Sequence, residues 1–213
     1  MAKITKGILG PISGKIGPVI GSSWKGIHYL KTAPTVKTDR EPSPAQKAHH
    51  QKFKFLTQWL RPLHPFLMVG FKNLAIKTTE INAAFSKNFQ IALNCTNGDL
   101  SIDYERVLIS WGRLTGLHNP SMELANETTL NLSWQSNSGP YCAHDDQLML
   151  VIYNDDLDIA EGFTGGVKRS LKSYSFTIPN KLVGKFFHVY VCMVALNGSE
   201  VSTSQYLGKI EPL

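Results

Sequence analysis

A glycine-rich stretch, residues 10–16, is the first feature of the sequence that suggests a chemical role. It ends in Gly14-Lys15-Ile16. A phosphate-binding P-loop has four residues between its glycines, and its lysine is followed by a Ser or Thr that reaches Mg²⁺. Here three residues separate the glycines, and Ile16 follows the lysine. We therefore predict no nucleotide site, and we interpret the glycines as positions where the chain lies close against another backbone.

Histidines and acidic residues are the remaining candidates for metal binding or catalysis. The densest histidine group is His49, His50 and His64, but adjacent histidines on a helix point about 100° apart and do not form a ligand pair. Residues 145–146 and 155–158 are rich in Asp without the spacing of a calcium loop, and we predict that they form acidic hairpin tips. No Gly-x-Ser-x-Gly elbow is present. We predict no catalytic residue, no metal, no cofactor and no enzymatic activity.

The formal charge of the chain, +6 at pH 7, is divided unevenly along its length. Residues 1–93 contain 14 Lys and Arg against 3 Asp and Glu, whereas residues 94–213 contain 8 against 13. Because residues 1–93 carry such an excess of positive charge, they are expected to face a polyanion or an acidic protein surface. The second half could supply such a surface in a neighbouring copy of the chain.

Lysines in the basic half alternate with apolar and aromatic residues, which is the composition expected of a contact surface. We predict that the apolar contacts come from Ile16, Ile20, Trp24 and Tyr29, with Lys15, Lys25 and Lys31 as their charge partners. The same interleaving would suit phosphate binding combined with base stacking. Aromatic residues on strands are also common core residues, and lysines often cover them.

The elements that would position these residues fall into an N-terminal segment and a helical segment. Residues 1–42 are predicted to be a basic, glycine-rich β-arm, with strand alternation and a hairpin over residues 22–31 and a proline-containing linker over 32–44. Residues 43–93 are predicted to be a helical unit. Its first helix begins with Ser43 as N-cap, Pro44 at the first position and Gln46 completing a capping box.

Over residues 99–213 the spacing of the apolar residues changes to a period of two, which is typical of β-strands. This segment is predicted to form an antiparallel β-sandwich. The fold class is thus α+β, with a sandwich of the fibronectin III or immunoglobulin type. The predicted strands are residues 107–114, 124–134, 148–153, 174–178, 187–196 and 201–210. Cys95, Cys142 and Cys192 lack metal-ligand spacing, so we predict three small buried side chains in a reducing compartment.

Several motifs resemble one family of uncharacterised bacterial proteins of about this length. They include Gly14-Lys15-Ile16-Gly17, Ser23-Trp24-Lys25-Gly26-Ile27-His28-Tyr29, Ser43-Pro44-Ala45-Gln46, Val69-Gly70-Phe71-Lys72 and Ile81-Asn82-Ala83-Ala84-Phe85-Ser86. The family is a domain of unknown function, so the resemblance implies a shared fold and supplies no activity, cofactor or catalytic residue. The Pro-Ala-Gln helix start also resembles openings seen in some phage-derived structural proteins.

Two functional hypotheses follow from these observations. The first is a structural or assembly protein whose N-terminal arm docks on another subunit, as a homo-oligomer or within a phage-like or filamentous particle. The alternative is a nucleic-acid-binding protein that uses its basic half. With no membrane span and no signal peptide expected, the predicted location is the cytoplasm, and no small-molecule substrate is predicted.

Overall fold

The computed structural model describes residues 2–4, 6–7, 10–34, 41–96 and 98–212. It divides into two compact units, Met1–Lys47 and Ala48–Leu213. The segment predicted as a linker, residues 32–44, falls partly outside the described residues. The predicted boundaries of arm, helical unit and sandwich remain predictions.

In its described residues, the N-terminal unit contains four short antiparallel strands, which pair in sequence order. They are β1 (Lys3–Ile4), β2 (Ile12–Ile16), β3 (Val19–Trp24) and β4 (Ile27–Thr32). The predicted hairpin is therefore present. Strand alternation over residues 22–31 is not continuous, however, because a turn at Lys25 and Gly26 separates β3 from β4.

The first helix, α1 (Pro44–Leu60), begins with the predicted capping box. The Ser43 backbone N–H donates to Gln46 Oε1 at 2.8 Å, and the Gln46 N–H donates to Ser43 Oγ at 3.3 Å. Two of the unpaired donors at the helix start are thereby satisfied within the sequence Ser-Pro-Ala-Gln itself. The helix ends at Leu60, two residues before Pro62.

Two further helices, α2 (His64–Gly70) and α3 (Glu80–Ile91), complete the helical segment. No described helix is long and apolar enough to cross a membrane. The three helices share one core with a β-sheet of the C-terminal segment. Residues buried in this shared core include Leu56, Leu60, Leu67 and Ala84 from the helices and Met149, Val151, Tyr190 and Cys192 from the sheet.

The β-sandwich is built from seven strands in two antiparallel sheets, after a separate hairpin of β5 (Leu93–Thr96) and β6 (Asp99–Ile102). One sheet has the order β11-β8-β7 and the other the order β10-β9-β12-β13. The strands are β7 (His118–Asn126), β8 (Thr129–Gln135), β9 (Gln147–Asn154), β10 (Ile159–Lys168), β11 (Ser173–Thr177), β12 (Phe187–Val194) and β13 (Gln205–Ile210).

This arrangement confirms the predicted fold class, α+β with an antiparallel β-sandwich of the fibronectin III type. Leu148, Leu150 and Ile152 of β9 face the sandwich core. Met149, Val151 and Tyr153 alternate with them and face the helices. Because the sheet is covered on both sides, β9 and β12 read as almost continuous apolar runs.

Two of the predicted strands are wrong. Residues 124–134 are two strands, β7 and β8, which are joined by a turn before Thr129. Residues 107–114 form no strand in the described chain, apart from an isolated bridge at Leu114. Their backbone N–H groups donate hydrogen bonds to partners outside any sheet. The Leu108 N–H donates to the Asn88 side chain, the Ile109 N–H to the Ser204 hydroxyl and the Trp111 N–H to the Gly70 carbonyl.

Two predictions about individual side chains also need correction. Asp146 does not lie on an exposed acidic tip, because it is 2% exposed and its carboxylate binds Arg169 at 3.0 Å. Cys95 is exposed, whereas Cys192 is buried as predicted and Cys142 is intermediate. Burial raises the pKa of the Cys192 thiol to about 12 and keeps it protonated.

Candidate interaction surface

Two tight turns give the N-terminal sheet its shape. Between β2 and β3, Gly17 has φ +56° and is followed by Pro18, which is the order required by a type II′ turn. Between β3 and β4, Lys25 and Gly26 have φ of +47° and +78°, as in a type I′ turn. Both turn types match the twist of paired strands, so β2, β3 and β4 form a regular meander.

The pairing register places the side chains of this meander on two faces. Lys15 lies opposite Ile20, which lies opposite Lys31; Ser22 lies opposite Tyr29, and Trp24 opposite Ile27. Directly opposed residues share a face, and so do residues two apart on one strand. We call this side the aromatic face, formed by Lys15, Ile20, Ser22, Trp24, Ile27, Tyr29 and Lys31.

The aromatic face carries its large apolar side chains towards the β3–β4 turn and leaves them open to solvent. Trp24, Ile27 and Tyr29 are 42%, 44% and 43% exposed. The exposed Lys15 and Lys31 flank the partly buried Ile20 in one cross-strand row. The ammonium group of Lys25, in the turn, lies 5.6 Å from the centre of the Trp24 ring, within range of a cation–π contact.

The reverse side of the meander is partly covered by its own chain. A Cβ at Gly21 would come within 2.2 Å of the Ile12 carbonyl oxygen, so the start of β2 crosses β3 at a point where only glycine fits. This close approach is the role expected of the glycines. Ile16, Val19 and Leu30 also lie on this side and are exposed.

The structure places the predicted contact residues unevenly on this sheet. The aromatic face carries Lys15, Ile20, Trp24, Tyr29 and Lys31. Ile16 lies on the reverse side, and Lys25 lies in the turn beside Trp24. Ile27, which the sequence reasoning did not select, lies opposite Trp24 and belongs to the same surface. The binding role of these residues remains a prediction.

The described part of the chain offers no group of three or more His, Cys, Asp or Glu side chains that could hold a metal ion. His49 and His50 are exposed on α1, and His64 is partly buried at the start of α2. His188, the buried histidine, stacks on Tyr104 with ring centres 3.8 Å apart and hydrogen bonds Tyr206. Burial lowers the pKa of His188 and favours its neutral form.

A second feature is the turn between β9 and β10, residues 155–158, which the sequence predicted as an acidic hairpin tip but not as a rigid one. Tyr153 donates a hydrogen bond to Asp158 at 3.0 Å, and the Leu157 N–H donates to Asn154 Oδ1 at 2.7 Å. Burial, followed by the nearby Asp158 charge, raises the pKa of Tyr153, so this hydroxyl remains a donor. The apolar sequence of β9 does not indicate that the Tyr153 hydroxyl binds the acidic turn that follows the strand.

These features define the class of the protein: an α+β chain with a small basic β-sheet and a helix-covered sandwich of the fibronectin III type. Residues 11–208 match the model of a family of unknown function, DUF6266, and the chain belongs to that family. The resemblance noted in the sequence is thereby confirmed. No curated protein matches the chain.

Two solved structures show limited similarity to the chain. A β-1,2-glucanase from Parabacteroides distasonis is 16% identical over 49% of this chain, with a TM-score of 0.32, and the match spans 14% of the glucanase. A human FNIII domain, the fourth in its protein, is 11% identical over 56% of this chain and 92% of its own, with a TM-score of 0.34. Similarity at this level carries no argument about function.

Proposed function

We propose that the chain is a non-enzymatic structural or assembly protein that docks through the aromatic face of its N-terminal sheet. The observation that supports this is the absence of a core in the sheet: among the described residues of β2, β3 and β4, only Gly21 is buried. A β-sheet gains stability by packing one face against another layer. On the aromatic face, Trp24, Ile27 and Tyr29 are the large apolar side chains available for such packing.

The size of the apolar patch suits a reversible contact between proteins. Complete burial of a large apolar side chain is worth about 1.5–3 kcal/mol, and the three large side chains of the aromatic face are already partly buried. Together they would contribute roughly 4 kcal/mol, about half of the binding free energy of a micromolar complex. The flanking lysines would add orientation and partner selection.

When the partner surface belongs to another copy of the chain, the contact has a structural consequence. The aromatic face would meet a different region of the next copy, so the contact would be heterologous. Such contacts produce rings when the rotation closes and filaments when it does not. A ring or a filament is therefore the expected assembly, and a filament would suit a filamentous or phage-like particle.

Substitution of the two aromatic residues tests the proposal. In the full chain, Trp24→Ala with Tyr29→Ala should weaken self-association by about a hundredfold, because buried aromatic residues dominate binding energy at interfaces. Sedimentation velocity over a concentration series would measure the change. The matched control is Ser23→Ala with His28→Ala, an adjacent cross-strand pair on the reverse side. Equal effects of the two pairs would contradict the proposal.

The aromatic face also supports a second candidate, binding of single-stranded nucleic acid. Trp24 and Tyr29 share one face with Lys15 and Lys31, and aromatic rings beside lysines can stack bases while the lysines contact phosphates. A labelled oligo-dT titrated between 50 and 200 mM salt distinguishes the two functions. Saturable binding that falls steeply with salt and is lost in the Trp24→Ala, Tyr29→Ala variant would favour nucleic acid.

A further inference from the structure

The turn between β9 and β10 is held more firmly than an exposed hairpin turn requires. Asn154 is fully buried; its amide group donates to the Phe186 carbonyl at 2.7 Å and its oxygen accepts the Leu157 N–H. Asp158 adopts a left-handed conformation with φ +52° and accepts from Tyr153. These contacts fix the backbone on both sides of Asp156 and Leu157.

This turn, which we call the acidic tip, is residues 155–158, and it presents an apolar side chain among carboxylates. Leu157 is 41% exposed, and Asp155, Asp156 and Asp158 are exposed around it. Within the described chain, the Asp156 carboxylate forms no ion pair or hydrogen bond. The fixed backbone therefore displays an unpaired carboxylate, Asp156, beside a partly exposed apolar side chain, Leu157.

The acidic tip and the aromatic face are complementary in charge. The tip carries three carboxylates, whereas residues 1–47 contain 8 Lys and Arg against 2 Asp and Glu. On the face, the row of Lys15 and Lys31 lies two residues along the strands from Tyr29, about 7 Å away.

We propose that the acidic tip of one copy of the chain docks on the aromatic face of a second copy. Leu157 packs against Trp24 and Tyr29, and Asp156 pairs with the lysine row. This inference rests on the proposed function and specifies its partner surface. A fixed tip also loses little conformational entropy on docking, which favours it over a flexible loop.

Exchange of opposite charges tests this pairing in the full-length protein. Lys31→Glu and Asp156→Lys should each raise the dissociation constant of self-association by about tenfold, because each replaces an attraction with a repulsion. The chain that carries both substitutions should associate about threefold more tightly than either single variant, since the exchanged pair again joins opposite charges while Lys15 still repels the lysine introduced at position 156. Sedimentation velocity measures all three variants.

Two matched controls carry the same changes of charge on exposed positions outside both surfaces. Glu127→Lys changes an exposed residue between β7 and β8, and Lys185→Glu changes an exposed lysine before β12. Both should associate like the unchanged protein. Circular dichroism would establish that every variant is folded.

The outcomes separate this inference from the function on which it rests. If Trp24→Ala with Tyr29→Ala abolishes association but Asp156→Lys behaves like Glu127→Lys, the aromatic face docks elsewhere and the tip pairing is wrong. A double charge exchange that associates no more tightly than either single variant would also overturn the pairing. A wild-type chain that stays monomeric at every concentration would contradict both the pairing and assembly.

Discussion

Replacement of Arg169 by methionine is expected to lower the free energy of unfolding by about 3–5 kcal/mol. The Arg169 side chain is 4% exposed and its guanidinium binds the Asp146 carboxylate at 3.0 Å. It also donates to the carbonyl oxygens of Thr115 and Gly116, at 2.6 and 2.9 Å, and to Asn137 at 2.9 Å. The substitution would leave a buried carboxylate without its counter-charge and strip three further oxygens of a donor.

Urea denaturation followed by tryptophan fluorescence would measure this loss, since Trp134 donates from its indole nitrogen to the Arg169 carbonyl at 2.8 Å. The adjacent Lys168→Met removes the same charge from an exposed side chain and should change stability by less than about 0.5 kcal/mol. A similar denaturation midpoint for the two variants would show that the buried ion pair does not hold this end of the sandwich together.

Replacement of Asn88 by alanine is expected to cost about 3 kcal/mol. The Asn88 side chain is fully buried on α3; its oxygen accepts the Leu108 N–H at 2.9 Å, and its amide group donates to the Leu108 carbonyl at 2.9 Å. The same amide donates to the Ala84 carbonyl at 3.0 Å. Alanine would leave both polar groups of the Leu108 backbone buried without partners.

The matched control for this prediction is Gln90→Ala, a change of an exposed amide on the same helix. Urea denaturation of both variants gives the comparison. Hydrogen exchange adds a local measurement, because the Leu108 amide proton should lose protection in the Asn88 variant. Equal stability of the two variants, with an unchanged Leu108 exchange rate, would refute the role given to Asn88.

Local signals in the sequence predicted much of the fold. The capping box at Ser43 and Gln46 fixed the start of α1, because both bonds lie within four consecutive residues. The change of period from 3.6 to two after residue 93 indicated a sandwich, because alternation of side chains reflects the geometry of a half-buried strand. These predictions succeeded where the pattern and its cause are close in the chain.

The errors occurred where distant residues determine the structure. The apolar run over residues 107–114 resembles a strand, yet Asn88 and Ser204 supply its backbone partners. At Gly70 a Cβ would lie 2.1 Å from the Ile109 carbonyl, so helix α2 occupies the side where a strand would pair. Asp146 looked like a tip residue because its partner, Arg169, lies 23 positions away.

The candidate surface was predicted in composition but not in geometry. Residue types identified Trp24, Tyr29 and the lysines, whereas their common face depends on a turn at Lys25-Gly26 that lacks the usual Asn-Gly or Asp-Gly signal. A turn one residue away would have moved Tyr29 to the reverse side. The acidic tip was identified from its charges, but its rigidity arises from Asn154 and Tyr153, which no spacing rule selects.

Sedimentation equilibrium of the full-length chain over a wide concentration range tests the central claim most directly. The account predicts that the weight-average mass rises above that of one chain as concentration increases. It also predicts that Trp24→Ala with Tyr29→Ala moves this rise in mass to concentrations about a hundredfold higher. A mass equal to one chain at every concentration of the unchanged protein would contradict the account.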